Sequence, residues 1–404
     1  MKRRVVVTGI GVVSPVGIEL DQFWNNSLAG KTGIAELKRM NAANFSTNLG
    51  AEVKDFLPQK YIKNNKPYLM DIVSQYTTSA ANIAIEDSCL KEREKHKAGV
   101  IIGTTLGPIS FILDQQNVLK NKGEKAIHKY TAYMALCNAL SGDVSNETGA
   151  TGLSETISSA CVSGLSAVMR GAQCIRNEGY DVMIVGGADS AFRPLPYAGL
   201  NSIGVLTGDK LRPFDVHANG TVLGEGAAVL ILESLEHAKK RKSKKYCEIL
   251  NGMFTAEAYG HFKHEEKPVQ TTRAVSEAIR RSGVKKETID LVITHGLGIK
   301  GADHHEALTY KEYFGEKQCK STAFTSIKPY IGHPLAAASV FQIVYAIMMI
   351  QNEIILPTLN FQQGSKDVKM NIVKEVSLSR KIRNCLIFSM AFGGKCGGCV
   401  ITRI

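Results

Sequence analysis

The chain has 404 residues, of which 44% are hydrophobic and 21% charged, a composition typical of a globular protein with room for two domains or one double-core fold. No apolar run approaches membrane-spanning length, and the first residues lack the apolar core and cleavage site of a signal peptide. Nine cysteines, an odd number, predict free thiols in a reducing cytoplasm. The net charge of +12 favours an acidic partner.

The basic charge is compatible with several kinds of partner. Nucleic acid is one, but few aromatic residues stand between the basic residues of the clusters, and no known nucleic-acid-binding motif is present. A small acidic carrier protein or a phosphorylated thioester fits at least as well. A merely solvated lysine-rich surface is the alternative.

Strand and helix patterns alternate along the first part of the chain. The segment 5–7 is typical of a strand before a glycine-rich turn, but Ser14 and Pro15 interrupt the dinucleotide-binding fingerprint that this turn resembles. The later elements predicted in this part are helices at 20–29, 70–89 and 163–175, a basic stretch of helix and loop at 118–147, and strands at 99–105, 182–185 and 229–232.

A basic run at 237–245 predicts the boundary between two units, 1–242 and 243–404. The second unit is predicted to contain helices at 269–282 and 335–349, strands at 291–294, 323–326 and 386–389, and a last strand ending at 404. The alternation of strands and helices predicts an α/β fold with parallel strand pairing.

Cys161 stands among small residues just before the helix predicted at 163–175. The unpaired N–H groups and positive dipole end of that helix would point at the sulfur. We therefore expect a depressed thiol pKa and a nucleophile that is useful at neutral pH. A structural buried cysteine is the alternative.

Two histidines directly follow predicted strands or precede a helix, where active-site groups of α/β folds collect. His295 ends the strand 291–294, and His333 precedes the apolar helix 335–349. With Cys161 they form a set suited to carbon–carbon bond formation on thioesters, because the cysteine can hold an acyl group while the histidines stabilise an enolate oxygen. Lys328, five residues before His333, would tune the local charge.

These segments together resemble the β-ketoacyl-acyl-carrier-protein synthase II-like ketosynthases of the thiolase superfamily over essentially the whole chain. The matching segments are Val7–Gly11, Ser14–Gly17, Ala160–Cys161, Gly186–Ala188, Arg212–Asp215, Gly224–Gly226, His295–Gly296 with Asp303 and Glu306, Lys328 with Gly332–His333, and Phe392–Gly394.

The resemblance implies a thiolase-like α/β fold in which two similar halves form a five-layer α-β-α-β-α stack, with the nucleophile in the first half and both histidines in the second. It implies that Cys161 accepts the acyl group and that His295 and His333 promote malonyl decarboxylation, with Lys328 and Glu306 as supporting charges. Phe392 would be the gate of the Phe-Gly-Gly loop, which includes Gly393. The backbone N–H groups of Cys161 and Phe392 would form the oxyanion hole.

The resemblance also implies partners. Substrates would arrive on the phosphopantetheine arm of an acidic acyl carrier protein, and the enzyme would be a homodimer or a heterodimer with a chain-length-factor-like subunit. Neither nucleic acid nor a membrane span is expected.

Several segments depart from the family pattern. Gly296-Leu297-Gly298-Ile299 lacks the usual hydroxyl residues after the first histidine, and Lys395-Cys396 replaces a threonine and an asparagine. The basic docking patch is reduced to Lys60, Lys63 and Lys66, followed by Tyr68 and Leu69. We therefore expect a specialised polyketide, polyene or fatty-acid ketosynthase. The alternatives are a housekeeping fatty-acid enzyme and a subunit that is active only with a chain-length-factor partner.

Two other enzyme or subunit classes are less consistent with the sequence. A thiolase has no counterpart of His295, and its second catalytic cysteine has no convincing match. A non-catalytic chain-length factor lacks the nucleophile, so the retention of Cys161, His295 and His333 argues against that assignment.

We expect neither a metal nor another cofactor. Cys396 and Cys399 form a lone C-x-x-C without two further zinc ligands nearby, and positions three apart on a strand face opposite sides. The sequence Asp303-His304-His305-Glu306 matches no metal motif, and a helix start accounts for its acidic residues.

Overall fold

The computed structural model describes residues 3–365 and 369–404. The strands are β1 Val5–Ser14, β2 Gly17–Ile18, β3 Ala35–Glu36, β4 Leu49–Gly50, β5 Gly99–Gly103, β6 Ser154–Ile157, β7 Val182–Asp189, β8 Gly226–Ser234, β9 Cys247–Ala256, β10 Ile289–Ile293, β11 Ala323–Thr325, β12 Ile354–Ile355, β13 Asn371–Ile372, β14 Leu378–Ser379, β15 Asn384–Ala391 and β16 Lys395–Thr402. The helices are α1 Leu20–Leu28, α2 Ile72–Ser88, α3 Glu92–His96, α4 Ile109–Lys122, α5 Thr131–Met134, α6 Ala139–Thr148, α7 Ser163–Asn177, α8 Pro194–Ser202, α9 Leu235–Lys240, α10 Val269–Ser282, α11 Lys300–Ser321, α12 Lys328–Ile331 and α13 Ala337–Asn352.

The main sheet runs in the order β13-β11-β10-β15-β16-β9-β1-β8-β7-β5-β6, with β2 paired to β1. Its outer strands pair in parallel, whereas the central strands β15, β16, β9, β1, β8 and β7 pair antiparallel. The prediction of parallel pairing is therefore wrong for the centre of the sheet. There β15 and β16 form a hairpin, which needs only a short turn and gives antiparallel strands.

Two helices lie between the halves of this sheet. Helix α7 contacts β5 and β7 in one half and β9 and β16 in the other, and α13 contacts β7, β8 and β15. Helix α13 has no charged residue and is buried from Ala337 to Ile350, as expected for a helix that is apolar on every side. Helices α2 and α6 cover the first half, and α10 and α11 cover the second. This arrangement is the five-layer α/β stack that the resemblance predicts.

Most predicted elements are present with ends shifted by a few residues, and the helix 269–282 is reproduced at both ends. Helix α8 and strand β9 were not predicted. Polar Glu248 and Asn251 and the glycine at 252 interrupt the apolar pattern of β9. Within residues 3–365 and 369–404, no helix combines the length and apolarity needed to cross a bilayer.

Candidate active site

Cys161 lies immediately before α7, as predicted, in a tightly constrained turn. The preceding Ala160 has a φ of 54°, a left-handed conformation that is uncommon for residues other than glycine. The hydroxyl of Ser163 holds this turn, because it donates to the carbonyl of Ala160 at 2.6 Å and accepts from the N–H of Ser159 at 2.7 Å. The turn therefore fixes the direction of the thiol.

His333 is brought to Cys161 from the loop between α12 and α13. The backbone N–H of His333 donates to the carbonyl of Val222 at 2.7 Å. This bond anchors the loop beside the first half of the fold. The Nε2 of His333 lies 3.2 Å from the Sγ of Cys161. The nucleophile and one histidine, 172 residues apart in the chain, are thus in direct contact.

His295 stands beside that pair, with its ring centre 5.6 Å from that of His333 and the two rings perpendicular. Lys328 is fully buried, donates to the backbone carbonyl of His295 and lies 3.3 Å from His295 Nδ1. Because an ammonium group can only donate, this contact makes Nδ1 an acceptor and leaves the proton of the neutral imidazole on Nε2. Glu306 accepts the N–H groups of His295 and Gly296 at 2.7 and 2.8 Å.

Two buried carboxylates hold the loops around these residues. Asp303, already part of the family match, accepts N–H groups from Phe214, Leu297 and Gly298. Asp189 at the end of β7 accepts the N–H of Ala336 at 2.8 Å. Asp189 was not singled out from the sequence, although its place at the end of a buried strand was a usable signal.

Burial alters the proton affinity of the central groups. It raises the pKa of the Cys161 thiol to about 12, although the charge of Lys328 acts in the opposite direction. The prediction of a depressed pKa is therefore wrong for the resting protein, because desolvation outweighs the helix terminus. Burial and the charge of Lys328 also hold the pKa values of His295 and His333 well below the ordinary range of histidine.

The pKa of Lys328 is itself altered. Burial lowers its pKa to about 8, while Glu306, Cys161 and Asp303 act in the opposite direction. Burial raises the pKa of Asp303 to about 7 and also raises the pKa of Glu306. Proton affinities moved this far towards neutrality are common where acid–base chemistry occurs.

Phe392 and Gly393 lie in the turn between β15 and β16. Gly393 has a φ of 78°, which favours glycine, and its N–H donates to the carbonyl of His261 at 2.9 Å. Phe392 is 37% exposed as a residue, and its ring packs edge-on against that of Phe262 with 5.1 Å between the ring centres. A half-exposed ring on a short turn is compatible with the predicted gate, and its role stays a prediction.

A cavity of about 960 Å³ reaches this cluster, and Cys161, His295, His333 and Phe392 line it. Most of its other walls are apolar. They include Leu297 and Ile299, the residues that replace family hydroxyls. The volume and character suit a long apolar ligand with a few fixed polar contacts.

The other cysteine and acidic motifs have local explanations. Cys396 and Cys399 lie on β16 in different apolar clusters, as expected for opposite faces of a strand. Asp303 lies in the first turn of α11, as the helix-start interpretation predicted. His305, on the same helix, contacts Glu257, a residue that the sequence analysis did not single out.

The sequence is similar to known β-ketoacyl synthases over the full chain. The family models described as β-ketoacyl synthase, N-terminal domain, and β-ketoacyl synthase, C-terminal domain, match residues 2–238 and 246–362. The chain is 33% identical to 3-oxoacyl-[acyl-carrier-protein] synthase 2 of Coxiella burnetii, covering 100% of this chain and 99% of that protein. It is 29% identical to putative polyketide β-ketoacyl synthase 1 of Streptomyces halstedii, covering 100% and 98%.

Solved structures agree with the fold as well. The ishigamide ketosynthase/chain length factor superposes with a TM-score of 0.94 at 28% identity, covering 100% of both chains. A type II polyketide synthase acyl carrier protein in complex with its ketosynthase bound to the hexaketide gives a TM-score of 0.91 at 25% identity, again covering 100% of both chains. Matched by both family models and by relatives along its whole length, the chain belongs to the β-ketoacyl synthase family.

Proposed function

We propose that this protein is a β-ketoacyl-acyl-carrier-protein synthase that joins a malonyl thioester, with loss of CO₂, to an acyl group held on Cys161. The contact of 3.2 Å between Cys161 Sγ and His333 Nε2, beside His295, carries the proposal. The condensation uses groups of the protein chain and needs no cofactor beyond the phosphopantetheine arm that delivers the substrates.

The first step is acyl transfer to the cysteine. The sulfur of Cys161 attacks the thioester carbonyl, and the carbon–sulfur bond to the carrier breaks. The thiol proton is transferred to the departing carrier thiolate, while the Nε2–H of His333, which burial keeps neutral, donates a hydrogen bond to the sulfur of Cys161. Because burial raises the pKa of the thiol to about 12, proton transfer accompanies bond formation.

The second step is decarboxylation of the malonyl group. Breaking the bond to the carboxylate releases CO₂ and leaves an enolate, whose oxygen accepts hydrogen bonds from the neutral rings of His295 and His333. Lys328 keeps the proton of His295 on Nε2 through its contact at Nδ1. The enolate carbon then attacks the acyl carbonyl, the bond to Cys161 breaks, and the Cys161 thiolate takes up a proton from solvent.

The remaining catalytic assignments concern the oxyanion and the entrance. The N–H groups of Cys161 and Phe392 stabilise the oxyanion formed at the acyl carbonyl, and Phe392 gates access to the thiol. Glu306 acts as a positioning residue, because it holds the backbone of His295.

Substrates are proposed to be polyketide or polyene intermediates. Leu297 and Ile299 make the cavity wall near His295 apolar, and the structures that superpose include a type II polyketide synthase complex. The partners would be an acidic acyl carrier protein and a second subunit, either another copy or a chain-length-factor-like chain, in a reducing cytoplasm. The superposition on a ketosynthase/chain length factor at a TM-score of 0.94 favours activity that depends on such a partner as the second candidate function.

Intact-mass analysis after incubation with a panel of acyl-carrier thioesters tests the nucleophile. We expect an acyl adduct on the wild-type protein and none on Cys161→Ala, and the acyl group loaded best would identify the substrate class. An adduct that persists in Cys161→Ala would refute the assignment.

A second assay separates the pathways. The purified protein is given ordinary fatty-acid carrier substrates, first alone and then with a candidate chain-length-factor subunit. Efficient elongation by the protein alone, at rates sufficient for bulk fatty-acid synthesis, would exclude the specialised assignment.

A further inference from the structure

Three potential metal ligands converge beside the active-site cavity from separate parts of the second half. Glu257 follows β9, His264 lies in the loop before α10, and His305 lies on α11. The Nδ1 of His264 is 3.1 Å from Glu257 Oε2, and the Nε2 of His305 is 2.9 Å from Glu257 Oε1. Glu257 and His305 are buried, and His264 is half-buried.

The spacing of these atoms is close to that of a coordination shell. All three lie within 4.8 Å of one another. Ligands of a tetrahedral zinc ion, with bonds of roughly 2.0–2.2 Å, are about 3.3–3.5 Å apart, so binding an ion would bring the two nitrogens together and lengthen their contacts with Glu257 slightly. The imidazole rings are stacked at 4.6 Å with an angle of 17° between them, so one ring turns before both nitrogens face the ion.

We propose that Glu257, His264 and His305 form a binding site for a divalent transition-metal ion, with Zn²⁺ as the favoured occupant. Two imidazoles and one carboxylate suit zinc and its neighbours, whereas calcium and magnesium prefer oxygen ligands alone. Three protein ligands leave at least one coordination position open. Both histidines line the cavity, which gives the ion a route of entry.

The site would act on the loop beside the gate. The N–H of Glu257 donates to the carbonyl of Gly394, and the N–H of Gly393 donates to the carbonyl of His261, both at 2.9 Å. An ion bound here joins the segment 257–264 to α11 next to the turn that carries Phe392. This role is separate from the condensation, which needs no metal.

Metal titration of the whole protein tests the site. We expect one Co²⁺ per chain with the visible absorption bands of nitrogen and oxygen ligation, displaced by Zn²⁺. His264→Ala and His305→Ala should each weaken Zn²⁺ binding by about 100-fold or more, since even the loss of an outer-shell partner costs 10–100-fold. The matched control is His304→Ala, which removes an imidazole that lines the same cavity from the same helix.

Two outcomes would overturn the proposal. One is the absence of Co²⁺ and Zn²⁺ binding to the wild-type protein. The other is binding that His264→Ala leaves unchanged or that shows thiolate charge-transfer bands, since nine free cysteines offer competing ligands. His264 is half-buried, so His264→Ala keeps the test valid if His305→Ala fails to fold. Cys161→Ala should bind the ion normally, which separates this test from that of the nucleophile.

Discussion

At the scale of single residues, the buried ammonium group of Lys328 predicts the pH dependence of decarboxylation. Its pKa of about 8 means that the group is charged below this pH and loses its proton as the pH rises through it. We therefore expect the wild-type rate to fall above about pH 8. Lys328→Met should lower the rate by about 100-fold or more. It should also abolish the fall in rate at alkaline pH, which is the alkaline limb of the pH profile.

The measurement is the release of CO₂ from a malonyl carrier substrate as a function of pH. Lys311→Met is a suitable control because this lysine is half-exposed on α11, and it should leave both rate and profile unchanged. An alkaline limb that survives in Lys328→Met would assign the titration to another group.

Asp303 gives a second prediction at this scale. Its carboxyl group accepts N–H groups from Phe214, Leu297 and Gly298, so Asp303→Ala leaves these donors unpaired. We expect the free energy of unfolding to fall by about 3 kcal/mol, measured by urea denaturation. Asp209→Ala removes an exposed carboxylate paired with Arg212 and should change stability by less than about 0.5 kcal/mol. Similar losses in the two variants would contradict the role of Asp303.

The residue types at the site were predictable, but their proton affinities were not. Cys161, His295 and His333 follow from strand ends and a helix start. The raised pKa of Cys161 depends on burial by groups that come from distant segments. Glu257 was missed for the same reason, because its partners become neighbours only after folding, whereas the position of Asp189 at the end of a buried strand was a signal in the sequence itself.

At the scale of elements, the crossing of α7 and α13 aligns the nucleophile with His333. A Cβ atom on Gly164 would lie 2.4 Å from the carbonyl oxygen of Ala336 and 2.6 Å from Val340 Cγ2. Gly164→Val should therefore separate the helices and destabilise the protein by about 2 kcal/mol. Thermal unfolding and the rate of acyl loading on Cys161 measure the two effects.

The control is Gly199→Ala on α8, where a Cβ atom would have no neighbour within 4 Å. Its stability should stay the same or rise by up to about 1 kcal/mol. A Gly164→Val protein with normal stability and loading would show that the close helix approach is not required.

The elements themselves were mostly predictable because hydrophobic periodicity is a local property. Helix α10 has a strong apolar stripe and was predicted at both ends. Strand β9 was not predicted, because its place between β1 and β16 is determined by pairing and its own sequence alternates poorly. The antiparallel centre of the sheet depends on the same long-range pairing.

At the scale of the whole molecule, the excess of basic residues predicts how a carrier protein docks. Lys60, Lys63 and Lys66 are exposed in one short segment. Lys63→Glu should raise the KM for a carrier-bound substrate several-fold and leave kcat nearly unchanged, because rim charges act mainly on association. The effect should shrink as salt is added.

Lys285→Glu provides the matched control, since it makes the same change of net charge at an exposed lysine of the second half. Equal effects of the two substitutions would indicate attraction by overall charge, without a defined docking site. The division of the chain into 1–242 and 243–404 remains our proposal, based on the basic run between α9 and β9.

The position of the β15–β16 hairpin has a consequence for how the enzyme is made. These strands, late in the chain, fill the place between β10 and β9 near the middle of the sheet, so the part of the sheet that belongs to the second half cannot be completed before the hairpin has been synthesised. Cys161 leaves the ribosome well before His333 and the hairpin. A nascent chain therefore carries a thiol without its catalytic partners, and the enzyme becomes competent for chemistry only when its synthesis is nearly complete.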